Sequence, residues 1–124
     1  MGHKISILVP VYNSEPFLHK LLSAIEQERV SQEWELVLVL GDDGSKDRSF
    51  ERISELSVKY PYIRGMKLSK NFGHQIGVKT ALNHCSGDYV AIIDDDLQDP
   101  PSLLPRFFSY LDNGYHVAYG VRKK

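Results

Sequence analysis

Residues 89–93, Tyr-Val-Ala-Ile-Ile, run without polar interruption into Asp94-Asp95-Asp96, and this boundary constrains the fold more than any other stretch. An apolar run rich in β-branched side chains predicts a strand buried on both faces, as in a parallel sheet. Two unit charges about 4 Å apart repel by roughly 1 kcal/mol in water and about 4 kcal/mol at an effective dielectric near 20. Carboxylates packed at the edge of a buried strand therefore need a compensating charge, and a divalent cation supplies one. With the backbone extended past the strand, alternate side chains share a side, so Asp94, Asp96 and Gln98 converge while Asp95 and Leu97 face away. All three converging groups offer oxygen, the donor that Mg²⁺ and Mn²⁺ prefer. The competing reading is a solvated acidic turn capping the next helix, since acids also suit helix N-termini.

The rest of the chain repeats the alternation of apolar run and polar loop. Ile5 to Val9 predicts a first strand ended by Pro10, and Ser14 a helix N-cap with Pro16 in the first turn. Phe17, Leu18, Leu21, Leu22 and Ile25 recur at helical spacing as an apolar stripe. Trp34 to Leu40 predicts a second buried strand, and Gly41-Asp42-Asp43-Gly44-Ser45 has the chemistry of a tight strand-to-helix turn. A helix from Asp47 to Lys59 carries Phe50, Ile53 and Leu56, and Tyr60-Pro61 stops it before a strand from Ile63 to Leu68. After the polar loop 69–74, Val78, Ala81, Leu82 and Cys85 predict a third helix, ended by Ser86-Gly87-Asp88. Beyond the acidic edge, Pro100-Pro101 lead a fourth helix with the stripe Leu104, Phe107, Phe108 and Leu111. Pro105 must lie in its first turn, Asn113-Gly114 end it, and His116 to Tyr119 begins a further strand. The Phe and Leu stripes are expected in the core throughout.

Strands alternating with helices at this spacing predict an α/β fold with a mostly parallel sheet and right-handed crossovers. Ligands of such sheets bind beyond the carboxyl ends of the strands, where Tyr12, Asp42, Asp43 and Asp94 to Asp96 all fall.

At 124 residues the chain is one domain or part of one, long enough for a real core. A formal net charge of -1 leaves no basic field of the kind that nucleic acid or anionic lipid requires, so an anionic ligand must be met locally. The single Cys85 excludes an internal disulfide framework and fits a reducing compartment. The opening MGHKISILVP has neither a sustained apolar core nor a cleavage site, and no segment reaches membrane-spanning length. A cytoplasmic location is expected.

Several signatures are missing from the sequence. No G-x-G-x-x-G follows the first strand and no G-x-x-x-x-G-K-[ST] occurs, so phosphate is held in some other way. The five histidines show no H-E-x-x-H and Cys85 has no second cysteine, which argues against zinc and makes His84-Cys85 helix surface and core. Asp42-Asp43-Gly44-Ser45 alone is a common turn, and the second acidic cluster gives it functional weight. Tyr12 either stacks on a ligand ring or covers core. Lys70, His74 and Arg122 either meet a phosphate or are simply solvated.

Taken in order, PVYNSE, GDDGSKD, LSKNFGHQIGV, SGDYVAIIDDDLQDPP and GYHVAYGVR resemble the N-terminal half of a family 2 glycosyltransferase, from Ile5 to Arg122. Within that family, NFGHQ and DLQDPP are most similar to the polyprenyl-phosphate sugar transferases, relatives of dolichyl-phosphate mannose synthase. The resemblance implies a GT-A fold, a UDP- or GDP-sugar donor, and an inverting transfer assisted by Mg²⁺ or Mn²⁺. It implies that residues 1–124 are a single nucleotide-sugar-binding domain, the N-terminal part of a longer enzyme truncated on its C-terminal side. Pro10 and Tyr12 would line the nucleoside pocket and Asp43 would hydrogen-bond the base, with Ser14 or Glu15 assisting. Asp94 and Asp96 match the acids of the D-x-D motif, with Gln98 as a third metal ligand, and Asp94 and Asp95 also fall to the donor nucleotide by position. Gly41 stands where the family more often has an aliphatic residue or an acid, and Asp95 where it often has alanine.

A lipid-phosphate acceptor is implied for the full-length protein, which would then work at the cytoplasmic face of a membrane. No catalytic residue is identified within the chain, since family members place any base further on. Two other classes compete with this reading. A phosphoacceptor receiver domain is also α/β with acids and Mg²⁺ at strand ends, but its acid pair follows the first strand, where Pro10-Val11-Tyr12-Asn13 stands here. A non-catalytic nucleotide-sugar-binding module would share every residue named.

Overall fold

The computed structural model describes residues 4–67, 85, 87–93 and 101–114. In these residues strands and helices alternate: β1 (Lys4–Val11), α1 (Glu15–Gln32), β2 (Glu35–Asp42), α2 (Ser49–Lys59), β3 (Ile63–Lys67) and β4 (Tyr89–Ile92). A 3₁₀ turn (Pro101–Leu103) then leads into α3 (Leu104–Asp112), which carries Pro105 in its first turn as expected. The sheet runs in the order β3-β2-β1-β4, and every described pairing is parallel. The helix predicted around Val78, the end of the strand predicted to Leu68 and the strand predicted at His116 lie outside the described residues, as do Asp94 to Pro100.

Side-chain alternation divides the sheet into two faces. On one, Ile5, Ile7, Val9 and Val11 of β1, Leu36, Leu38 and Leu40 of β2, and Ile63 of β3 form a continuous core. Leu18, Leu21, Leu22 and Ile25 of α1, Ile53 of α2, and Leu104 and Phe108 of α3 complete it. At about 25 cal/mol per Å² of apolar surface removed from water, this layer is the principal source of stability. The opposite face holds a smaller cluster, Leu8 and Val39, with Val37, Met66 and Cys85 packed against it. Phe108 anchors α3 to the start of the sheet: its ring meets Trp34 edge-on at 5.6 Å and stacks on Tyr89 at 5.4 Å between centroids. The Tyr89 hydroxyl donates to Asp112 at the far end of the same helix.

Four expectations need correction. The segment Tyr89 to Ile93 is not buried on both faces, because Val90 and Ile92 are 42% and 50% exposed, while Tyr89 and Ala91 pack on the core. Among the described residues β4 has a neighbour only in β1, and the described helices cover only its other face. Phe17 is exposed rather than core. At 100° per residue it points about 90° from the middle of the stripe set by Leu18 to Ile25, off the sheet. Ser14 precedes α1 but makes no side-chain cap; its hydroxyl instead donates to the Tyr12 carbonyl at 3.0 Å.

The fourth correction is that β1 does not end at Pro10 but runs through it to Val11. In a parallel ladder the N–H and C=O of one residue point to the same neighbour, and alternate residues serve alternate sides. Lys4 and Leu8 accept from β4, through the Asp88 N–H at 2.7 Å and the Ile93 N–H at 3.0 Å, whereas Val11 accepts from the Asp43 N–H at 2.9 Å on the β2 side. Pro10 shares the parity of Leu8. Its missing N–H therefore falls on the side of β4, and the β1–β2 ladder loses nothing.

The helix α2 lies against the sheet where a side chain is absent. A Cβ built on Gly65 of β3 would stand 2.5 Å from Cγ2 of Ile53, which is fully buried. Gly65→Ala is expected to destabilise the chain by about 1–3 kcal/mol, as overpacking of a filled core does. Urea denaturation checks this, and Gly65→Ala combined with Ile53→Ala, which removes Cγ2, should lose less than the two separate losses added together.

On the outer side of α1, Glu26 accepts from the Arg29 guanidinium and from the Tyr62 hydroxyl, tying the helix to the residue before β3. The Arg29 hydrogen bond holds the Glu26 carboxyl below its usual value of 4.5; burial opposes this, and the Tyr62 hydroxyl adds to it. A lowered carboxylate pKa contributes stability above the unfolded value that is lost as pH falls through the folded one. The contribution should therefore be full above about pH 5 and fade below 4.5. Glu26→Gln should flatten the acid limb of a plot of thermal midpoint against pH, leaving the slope above pH 6 unchanged.

Candidate functional site

The register of the two central strands decides which loops meet. Lys4 pairs with Glu35 and the ladder continues to Pro10 with Gly41 and Val11 with Asp42, so both strands end at the same level. The Asp43 N–H donates to the Val11 carbonyl at 2.9 Å and extends the ladder by one bond. The loops that follow, residues 12–14 and 43–48, therefore lie side by side at the carboxyl edge. On the other flank of β1, the Ile93 N–H bond to Leu8 fixes the end of β4 against the same strand. Asp94 is the next residue in the chain.

Both acids at the end of β2 are enclosed, Asp42 at 1% and Asp43 at 6% exposure. Asp42 accepts from the Ser45 N–H at 3.3 Å and from the Ser45 hydroxyl, which folds the turn back on itself. Gly44, at φ 73, supplies the left-handed residue this turn needs. Tyr12 is exposed beside them. Pro10 is half-buried in the strand itself, and Glu15 starts α1 with its carboxylate 3.3 Å from the Arg52 guanidinium of α2. Of the residues expected on the nucleotide, the structure thus brings Pro10, Tyr12, Glu15 and Asp43 to one edge. Asp94, Asp95, Asp96 and Gln98, and also Lys70, His74 and Arg122, lie outside the described residues. Among the described residues no group of three or more His, Cys, Asp or Glu could hold a metal.

Sequence reasoning did not foresee the bonds that join the two loops. Asn13 sits at φ 50, its N–H donates to the Ser45 hydroxyl at 2.8 Å, and its side-chain oxygen accepts from the Lys46 N–H at 2.8 Å. The Ser14 N–H donates to the Ser49 hydroxyl at 2.8 Å. Asp47 accepts from the N–H and hydroxyl of Ser49, at 2.9 and 2.6 Å, and from the Glu15 N–H at 3.3 Å. Burial opposes the charge on Asp47, but these hydrogen bonds outweigh it and hold its pKa below the usual value. The available signal was composition: Asn, Ser and Asp are the residues whose short polar arms bond nearby backbone, and both loops are made of them. Which arm reaches which loop depends on strand order, which a single sequence does not print.

A groove of about 350 Å³ lies between α1 and α2, lined by residues including His19, Leu22, Leu56 and Tyr60. It lies along the helices, away from the strand ends.

Comparison with known proteins agrees with this geometry. The chain is 39% identical over 121 residues to the glycosyltransferase YkcC of Bacillus subtilis, covering 96% of this chain and 37% of that protein. It is 35% identical over 119 residues to a dolichol-phosphate mannosyltransferase of Pyrococcus furiosus, covering 96% of this chain and 33% of that protein. The chain thus spans about a third of the length of the curated relatives it matches. Among solved structures, the mannosyltransferase PcManGT of Pyrobaculum calidifontis, determined with GDP-Man and Mn²⁺, superposes with a TM-score of 0.76 at 23% identity, over 90% of this chain and 33% of that one. That likeness establishes the fold as GT-A. The family model described as Glycosyl transferase family 2 matches residues 6–124, and with nearly the whole chain inside it, the protein belongs to glycosyl transferase family 2.

Proposed function

We propose that these residues form the donor-binding part of an inverting glycosyltransferase that moves a sugar from a nucleoside diphosphate to a lipid phosphate at the cytoplasmic face of a membrane. The observation that carries this reading is the shared level of the β1 and β2 ends. It sets Tyr12 and the enclosed Asp43 in adjacent loops, on the edge that β4 reaches just before Asp94. Asp43 would accept a hydrogen bond from an N–H of the base while Tyr12 and Pro10 flank the nucleoside. A buried carboxylate keeps one direction and bonds more strongly than a solvated one. The family membership and the dolichol-phosphate relative support the transferase reading and its acceptor class.

Asp94, Asp96 and Gln98 are an all-oxygen donor set, the chemistry that suits Mg²⁺ or Mn²⁺, and they are the residues that would hold it. When bound, such a cation neutralises charge building on the departing diphosphate. In the transfer, an acceptor phosphate oxygen forms a bond to the anomeric carbon as the bond from that carbon to the donor diphosphate breaks. The nucleoside diphosphate leaves with the electron pair, and the configuration inverts. A lipid phosphate is already ionised near neutral pH, so no residue has to take a proton from it. Among the described residues no helix is long and apolar enough to cross a membrane.

Titration calorimetry with GDP and UDP tests the reading. One of the two should bind with Mn²⁺ and more weakly without it; metal-independent binding, or none by a folded chain, counts against it. Asp96→Ala should weaken nucleotide binding in Mn²⁺ at least about tenfold, a scale reached even by residues that only support a metal ligand. The same variant should leave metal-free binding unchanged. Parent-like affinity in Mn²⁺ would remove the metal from the account.

A further inference from the structure

We infer that Asn13 is a positioning residue that holds Tyr12 and Asp43 at the spacing one nucleotide requires, an inference that rests on the function proposed above. Asn13 reaches from the loop after β1 to the loop after β2 with both its backbone and its side chain. Its N–H donates to the Ser45 hydroxyl at 2.8 Å, and its side-chain oxygen accepts from the N–H groups of Lys46 at 2.8 Å and Asp47 at 3.4 Å. The Ser45 hydroxyl in turn donates to Asp42, the residue paired with Val11. The bonds thus close a ring from β1 through Asn13, Ser45 and Asp42 back to β1, with Tyr12 and Asp43 as the neighbours of its corners.

The chemistry needs asparagine in particular. At φ 50 most side chains are strained, and asparagine and glycine tolerate this region best. Glycine would keep the backbone but has no oxygen for Lys46 and Asp47. Alanine would lose the oxygen and add strain. Glutamine has the oxygen on a longer arm and is less suited to the backbone.

Asn13 touches no substrate in this scheme, so its effect must pass through Asp43. Asn13→Gly, which the backbone accepts, should weaken Mn²⁺-dependent binding of GDP or UDP about tenfold, the scale of losing a hydrogen-bonded anchor. A double-mutant cycle with Asp43→Asn separates positioning from simple loss of stability. If Asn13 acts by placing Asp43, the double variant binds no more than about twofold weaker than Asp43→Asn alone, because neighbours acting through one contact are not additive. Ser45→Ala, which removes the acceptor for the Asn13 N–H, runs the same cycle by a second route and replaces Asn13→Gly if that variant does not fold. Losses that multiply in both cycles, or Asn13→Gly and Ser45→Ala affinities within twofold of the parent, overturn the inference and leave the proposed function standing. No nucleotide binding by the folded parent chain overturns both.

Discussion

The parallel pairing of β1 with β2 is the interaction on which the rest depends. The eight positions from Lys4 with Glu35 to Val11 with Asp42 form the longest ladder in the described sheet, and β1 is the strand against which β4 also aligns. A slip of one residue would turn every side chain of β2 to the other face, exchanging Leu36, Leu38 and Leu40 for Glu35, Val37 and Val39 in the core. Burial of apolar surface by α1, α2 and α3 on one face therefore enforces the register. The same register sets which loops are neighbours at the carboxyl edge. Packing energy in the core is in this way converted into geometry at the carboxyl edge.

The edge itself is built from short polar groups instead of cations. A chain with net charge -1 has no general field to attract an anion, and the end of β2 with the loop after it carries three aspartates. Their order comes from bonds between neutral or paired groups: serine hydroxyls, one asparagine amide, and backbone N–H groups pointing at Asp42 and Asp47. Such bonds are worth about 1 kcal/mol each, but leaving a buried one unmade costs more. The arrangement is accordingly stiff in the sense that matters for recognition, since any displacement of one loop leaves partners in the other without bonds. Surface ion pairs such as Arg48 with Glu51 add little to this.

Much of the architecture was legible in the sequence because periodicity reports burial directly. The runs around Ile7 and Leu38 and the stripe from Leu18 to Ile25 became β1, β2 and α1, and the breaks at Tyr60-Pro61 and Asn113-Gly114 fell where the turn chemistry put them. What failed depended on neighbours. Phe17 joins a helical stripe on paper, yet sits beyond the reach of the sheet. Pro10 reads as a terminator to anyone unaware of which side of the strand its nitrogen faces. The acids Asp42 and Asp43 were visible as a pair, but their enclosure and the part played by Asn13 come from a loop more than thirty residues away. The family resemblance named Pro10, Tyr12, Glu15 and Asp43 together; it did not supply the bonds that hold their loops.

Pro10 carries a last consequence. In the ladder register of Leu8 with Ile92, the next bond across to β4 would run from the nitrogen of residue 10 to the carbonyl of Ile93, and a proline nitrogen has no hydrogen to give. The ladder therefore lacks that one bond, whatever the apolar content of the two strands. The seam between β1 and β4 thus misses a rung for a covalent reason, at the carbonyl one residue before the first of the three aspartates. A carbonyl denied that ladder partner, next in sequence to an acid, is written into the chain by the absence of one hydrogen.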